Sequence, residues 1–232
     1  MTTITAKAVI FDLDCTLVDT LRRYFEVFNG LLKERGDKPL SWRSFVKIYV
    51  DDILDDVISP PGTKHREERL HEFWMDFLRR YREDDPGSKL IPGVWSVLKK
   101  LHDGGVPIAI ITSCIVSHSK LRDELEDFGI NVFVQTIVTA QDVLEELEKG
   151  HHFSKIEILK KVVERLKVDP EDCVVVGDYW NDIRDGKKIG AKTVGVLSGL
   201  MRRSLLEKYG PDAIIDSVKD LFKVVKFETQ NK

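Results

Sequence analysis

The sequence predicts a doubly wound, Rossmann-like α/β fold whose parallel sheet is interrupted once by an inserted block of helices. Three observations lead there. Short runs that are apolar on both faces recur along the chain, and each ends in a polar residue. Amphipathic helical patterns lie between them. The interval from Asp12 to Pro107 breaks this rhythm and reads as helix for most of its length. Strands apolar on both faces are what a parallel sheet covered by helices requires, and their alternation with helices is the signature of the doubly wound class.

Taken in order, "KAVIFD" (7–12) opens the sheet. Residues 20–85 then read as helices in "DTLRRYFEVFNGLLKERG", "LSWRSFVKIYVDDILDDV" and "REERLHEFWMDFLRRYRE". The "SPPGT" at 59–63 separates the last two, and "DDPGSKLIPG" at 84–93 closes the interval with turn residues. So long a segment is not a loop of a compact domain. The expected organisation is therefore a core of residues 1–19 and 86–232, with an inserted helical module at 20–85. "GVWSVLKKLHDGG" returns as a core helix and leads into the second strand, "PIAIIT" (107–112). "QTIVTA" (135–140) is the third strand, and "SKIEILKKVVERLKV" the next helix, with Ser154 as its expected cap. "DCVVVGD" (172–178), "KTVGVL" (192–197) and the weaker "DAIID" (212–216) complete the sheet.

The chain has 232 residues, enough for one large domain or a core with a smaller companion. Its net charge of 36 − 39 = −3 gives no electrostatic footprint for nucleic acid or an anionic membrane surface. No apolar stretch is long enough to span a bilayer, and no basic segment followed by an apolar run opens the chain. Cys15, Cys114 and Cys173 are odd in number and widely spaced, fitting neither a disulfide framework nor a zinc cluster. The expectation is a cytoplasmic protein with free thiols.

Ligands of such sheets bind at the carboxyl ends of the strands. The first strand delivers Asp12 and Asp14 there, the second Thr112 and Ser113, and the fourth Asp178, followed by Asn181 and Asp182. Carboxylates crowded together repel unless a cation or a shared proton compensates. Hard oxygen ligands at this density suit Mg²⁺, which takes one or two carboxylates and keeps positions for water and phosphate. An isolated Asp-x-Asp is an ordinary turn or cap signal. Its company on later strands gives it chemical meaning.

"DLDCT", then "TSC", then "GDYWND", in that order and on those strands, resembles the haloacid dehalogenase superfamily. The likeness covers most of the chain. The insertion between the first and second motifs resembles that family's helical cap, and "IPGV" at 91–94 resembles the return from cap to core in its phosphatase branches. The resemblance implies that Asp12 is the nucleophile that forms an aspartyl-phosphate. It implies that Asp14 is general acid and then base. Mg²⁺ would be held by Asp12, Asp178 and the main-chain carbonyl of Asp14, with Asp182 supporting it through water. Thr112, with Ser113, would bind the phosphoryl group, helped by main-chain N–H groups after Asp12, and Thr16 would orient the loop.

Two features depart from the family pattern. Cys15 stands where a glycine is usual. The third-motif lysine has no "GKP" setting, so Lys149 and Lys155 in "EKGHHFSKIEIL" compete for it. Lys155 is favoured because it begins the helix that leads into the strand ending at Asp178, whereas Lys149 follows the acidic run "EELE". His151 and His152 are adjacent, a spacing at which two histidines rarely share one ion, so solvent or the site entrance is their expected place. Trp74, Trp95 and Trp180 read as packing residues, and "GAKT" at 190–193 lacks the glycine a P-loop needs before its lysine.

The implied function is a Mg²⁺-dependent phosphatase acting on a small phosphorylated metabolite, because a helical cap closes the site to large substrates and bulk water. A sugar phosphomutase shares the core chemistry and stays open as an alternative. A dehalogenase of the superfamily lacks the second aspartate and needs no metal. A phospho-receiver signalling module also gathers aspartates above a parallel sheet, but is much shorter and has no helical insertion. The sequence assigns neither a substrate nor an oligomeric state.

Overall fold

A computed structural model describes residues 3–84, 87–149 and 153–228. His151, His152 and the expected boundary at 85/86 lie outside the described residues. The chain begins with β1 (Ile4–Ala6) and β2 (Ala8–Asp12), then β3 (Val18–Asp19) and four helices: α1 (Leu21–Glu34), α2 (Trp42–Tyr49), α3 (Leu54–Ile58) and α4 (Arg66–Arg80). Next come β4 (Lys89–Leu90), α5 (Val94–Asp103), β5 (Ile108–Thr112), α6 (His118–Asp127) and β6 (Thr136–Thr139). The remainder runs α7 (Leu144–Lys149), α8 (Ile156–Leu166), β7 (Cys173–Gly177), α9 (Trp180–Lys188), β8 (Lys192–Val196), α10 (Arg203–Glu207), β9 (Ala213–Ile215) and β10 (Val225–Phe227).

Six strands form a parallel sheet in the order β6-β5-β2-β7-β8-β9. They are the six runs expected from the sequence. Every residue of β2, β5 and β7 is buried, which is why these runs are apolar at successive positions rather than alternate ones. The covering helices turn one stripe inward. In α5 that stripe is Val94, Val97, Leu98 and Leu101, and in α8 it is Ile158, Leu159, Val162 and Leu166. The chain leaves β2 on one side through β5 to β6, then returns to β7 on its other side. The crevice at the carboxyl end of β2 is thus the topological switch point where ligands bind.

The helices between β3 and β4 pack through an aromatic core. Phe28 meets Phe73 edge-on at 5.2 Å, Trp74 meets Phe77 at 5.3 Å, and the Trp74 indole N–H donates to Asp55 Oδ1 at 2.7 Å. Rings in these geometries add about 0.5–1.5 kcal/mol per pair beyond the area they bury. The chain enters and leaves this region along one antiparallel ribbon, with Val18 opposite Leu90 and Asp19 opposite Lys89.

Several expectations need correction. "LSWRSFVKIYVDDILDDV" is not one helix. It breaks between α2 and α3, where Asp52 sits at φ 57°, a left-handed conformation that aspartate tolerates better than most residues. The ribbon of β3 and β4 and the parallel pair of β1 and β10 were not expected. Ser154 does not cap α8: Lys155 occupies the N-cap position, and Ser154 Oγ accepts only a long bond from the Ile156 N–H at 3.5 Å. Trp74 is buried, and Trp180 stacks on Tyr209 at 5.4 Å. Trp95, expected to pack, is 45% exposed and touches Phe133 edge-on. No described helix is long and apolar enough to cross a membrane.

Candidate active site

The end of β2 carries Asp12 into the crevice, and the chain then turns sharply. Leu17 and Val18 both donate their main-chain N–H to the Leu13 carbonyl, and Cys15 N–H donates to Val18. Cys15 sits at φ 60°, the left-handed conformation for which glycine is the least strained choice. Its buried thiol lies 3.6 Å from Thr20 Oγ1, and burial pushes it well above the usual thiol range. It is therefore a poor thiolate rather than a reactive one. The N–H groups of Leu13 and Cys15 already donate to Ile111 and Val18. They are not free, in this conformation, for the phosphate contacts expected of main-chain groups after Asp12.

Asp12, Asp178 and Asp182 converge from β2, the end of β7 and the first turn of α9, with carboxylate oxygens within 4.8 Å of one another. Lys155 lies among them at the start of α8. Its ammonium donates to Asp12 Oδ1 and Asp182 Oδ1, each at 2.6 Å. Its main-chain N–H is held by Asp185 at 2.8 Å. Lys149 is exposed and faces Glu145 at 3.8 Å, away from this cluster. Asp182, third residue of α9, also accepts from the main-chain N–H of the N-cap residue Tyr179, so its contacts are direct ones to a lysine and a helix end. Thr16 does more than orient a loop: its hydroxyl donates to Asp178 Oδ1 at 2.8 Å.

The electrostatics follow from this crowding. Burial would lower the Lys155 ammonium, but Asp12 and Asp182 hold it well above the ordinary lysine range. Burial pushes the Asp12 carboxyl up, Lys155 pulls it back, and the neighbouring aspartates leave it well above the usual range. Burial, then repulsion from Asp182, pushes Asp178 up to about 7. One ammonium cannot balance three buried carboxylates, so the donor set fits a divalent cation bound through oxygen.

Asp14 sits apart from this cluster. Arg82, just beyond α4, donates through Nη2 to both Asp14 oxygens at 2.6 Å and through Nη1 to Glu124 at 2.5 Å. Arg23 of α1 reaches the same glutamate at 3.0 Å. Thr112 donates to Asp14 Oδ2 at 3.0 Å and accepts from the Cys114 N–H, so its hydroxyl faces the second aspartate. Burial pushes Asp14 up, but Arg82, Arg23 and the Thr112 hydroxyl outweigh it and hold the carboxyl below its ordinary value. Ser113 Oγ and Asn181 Oδ1 are buried without a hydrogen-bond partner among the described residues. Both residues line a cavity that opens over Asp12, Lys155 and Asp178.

Sequence reasoning missed Arg82, Arg23 and Glu124. Each stood in a charged helical stretch that reads as an ordinary solvated face. It also missed the loop after β8, where Ser198 donates to the Cys15 carbonyl at 2.8 Å. In the same loop a Cβ on Gly199 would lie 1.8 Å from Asp178 Oδ2. "LSGL" carries only a turn signal.

A family model described as haloacid dehalogenase-like hydrolase matches residues 9–196. The chain is similar to the pyrophosphatase PpaX of Bacillus mycoides, 28% identical over 226 residues, covering 94% of this chain and 96% of that one. It is similarly related to the PpaX of Oceanobacillus iheyensis, at 27% identity with 94% and 96% covered. A solved haloacid dehalogenase-like hydrolase of Streptococcus pneumoniae shares the fold, with a TM-score of 0.71 at 19% identity over 94% of this chain and 97% of that one.

Proposed function

Because the chain belongs to the haloacid dehalogenase-like hydrolase family, we propose that it is a Mg²⁺-dependent phosphatase that hydrolyses small phosphomonoesters through Asp12. The observation that carries this reading is the Asp12 carboxylate, held 2.6 Å from Lys155 at the floor of a cavity, beside two more aspartates. Phosphoryl transfer asks for a fixed nucleophile, fixed positive charge and excluded water, and little else.

Asp12 attacks phosphorus, the bond from phosphorus to the leaving oxygen breaks, and the phosphoryl group rests on the aspartate. Asp14 protonates the departing oxygen, then takes a proton from the water that attacks the same phosphorus and frees Asp12. The contact with Arg82 favours ionised Asp14, the form needed for the second half of the cycle. For the first half Asp14 must gain a proton and loosen from Arg82. Lys155 favours the ionised form of Asp12 against burial and the neighbouring aspartates and fixes its carboxylate, and Ser113 offers an unpartnered hydroxyl to the phosphoryl oxygens. Magnesium, held by Asp12, Asp178 and the Asp14 main-chain carbonyl, would offset the negative charge that the phosphoryl group brings.

The inserted helices of residues 20–85 serve as a cap over the core of 1–19 and 86–232. Tyr24, Tyr49 and Phe77 lining the same cavity as the strand ends supports that role, as does the Arg82 to Asp14 contact. A cap suits small substrates, because closure removes bulk water that would intercept the intermediate. Free thiols at Cys15, Cys114 and Cys173 suit a reducing cytoplasm.

The test is phosphate release by the purified protein in Mg²⁺ from a panel of small phosphomonoesters and pyrophosphate. Release from at least one is expected. Inertness toward the whole panel would sink the reading.

A further inference from the structure

We infer that the cavity above the aspartates receives an uncharged, ring-bearing leaving group, so the substrate class is a phosphomonoester of an aromatic or cyclic apolar alcohol rather than a molecule with a second phosphate or a carboxylate. This rests on the phosphatase reading and deepens it.

The cavity has two unlike halves. Its floor is polar: Asp12, Asp14, Thr112, Ser113, Lys155 and Asp178. Its walls are mostly rings, Tyr24, Tyr49, Phe77, Tyr81, Phe153 and Tyr179, with Leu78, Cys15, Cys114 and Asn181 completing the lining. The rings are set against one another, Tyr24 4.5 Å from Phe77 and 5.2 Å from Tyr49 at 72°. Ring faces and edges arranged in this way favour another ring, by offset or edge-on contact.

The polar atoms of these walls narrow the class further. Tyr81 donates its hydroxyl to Thr20, and Tyr179 donates to Asp52. The hydroxyls of Tyr24 and Tyr49 have no protein hydrogen bond among the described residues, although both rings line the cavity. Burial pushes both phenols well above their ordinary range, so they stay protonated as neutral donors. An oxygen on the leaving group can accept from them. A second anion is poorly served. Among the described residues Lys155 is the cationic side chain lining the cavity, and Asp12 and Asp182 already hold it. Arg82 faces Asp14 and Glu124 instead. A second phosphate would meet aromatic walls and the charges of Asp14 and Asp178, which costs desolvation and repulsion together. The substrate therefore differs from the one in the name of the pyrophosphatase relatives. Its phosphorus–oxygen bond breaks at Asp12, and the oxygen takes the proton from Asp14 and leaves as a neutral alcohol within the ring-lined half.

The experiment compares kcat/KM for benzyl phosphate, propyl phosphate and pyrophosphate in Mg²⁺. Benzyl and propyl alcohols are leaving groups of similar basicity, so their ratio reads recognition of the ring. Benzyl phosphate is expected to lead propyl phosphate by at least about tenfold and pyrophosphate by more. Phe77→Leu, which keeps apolar volume but removes a ring face, is expected to shrink the benzyl-to-propyl ratio. A wild-type ratio near one, or faster hydrolysis of pyrophosphate, overturns the assignment and leaves the phosphatase reading standing. A ratio unchanged by Phe77→Leu overturns it too. No phosphate from any of the three, or from the broader panel, overturns both.

Discussion

Asp12 and Asp14 are two residues apart in the chain and sit in opposite electrostatic settings. Asp12 shares a buried cluster with two carboxylates and one lysine, and Asp14 is clasped by an arginine. Asp12→Asn keeps the shape and the Lys155 contact but removes the nucleophile. It is expected to lower kcat by at least about a thousandfold, with an unchanged circular dichroism spectrum. Arg82→Gln has a different signature. Without the guanidinium, burial dominates at Asp14 and its pKa rises. If hydrolysis of the intermediate limits turnover, ionised Asp14 is the working form, so the acid limb of kcat should move to higher pH. Leaving Asp14 and Glu124 buried with a weaker partner should also cost about 3 kcal/mol of stability, read from a denaturant melt. An acid limb that stays in place would contradict the role given to Arg82. None of this was legible in "LRRYRE", because an arginine at a helix end normally faces water. The motif aspartates were legible because the strand ends bring them together and nothing bland explains such a concentration of like charge.

At the scale of elements, the six sheet strands could be read because burial on both faces leaves an uninterrupted apolar run. The break between α2 and α3 could not. "YVDDILDD" keeps helical spacing, and the contacts that fix the break lie far along the chain, where Tyr179 donates to Asp52 and Arg202 pairs with Asp51. Lys155 was reasoned to the rim through a Ser154 cap. The lysine does lie beside Asp12, but it occupies the N-cap position itself. The loop after β8 gives the sharpest element-scale prediction. A Cβ at Gly199 cannot coexist with Asp178 as placed, and neither can one at Gly177 with Asp182, where the separation would be 2.1 Å. Gly199→Ala should therefore displace Asp178 or the loop and lower kcat by about a hundredfold. Raising Mg²⁺ should recover part of the loss if Asp178 holds the cation. A fully active Gly199→Ala protein would remove Asp178 from the site.

Across the whole molecule, the segment between β3 and β4 meets the rest of the chain through Arg82 and Asp14, Asp52 and Tyr179, Asp51 and Arg202, and Trp74 against Phe153 at 4.8 Å. That a block of helices separates the first two sheet strands was legible from the length and helical pattern of the interval. How it seats on the core was not, because these contacts join residues far apart in sequence. The aspartate cluster couples site and stability. Burial and the charge of Asp182 push the Asp178 carboxyl up to about 7 in the folded protein, above its ordinary value of about 3.8. Its favourable contribution is complete below the lower value and is lost as pH rises through the higher one. Above that point the folded protein bears the full repulsion, which a bound cation relieves. Mg²⁺ should therefore raise Tm more at about pH 8 than at about pH 6, and Asp178→Asn should erase the difference. Equal shifts at both pH values would argue against Asp178 as a ligand.

The central claim, a cation-dependent phosphoryl transfer at Asp12, is tested most directly by phosphate release from phenyl phosphate under three conditions in sequence: Mg²⁺ present, excess chelator added, and Mg²⁺ restored. The account predicts turnover, then its abolition, then recovery, with Asp12→Asn silent throughout. Turnover that persists in excess chelator, or an Asp12→Asn protein as active as the wild type, would contradict it.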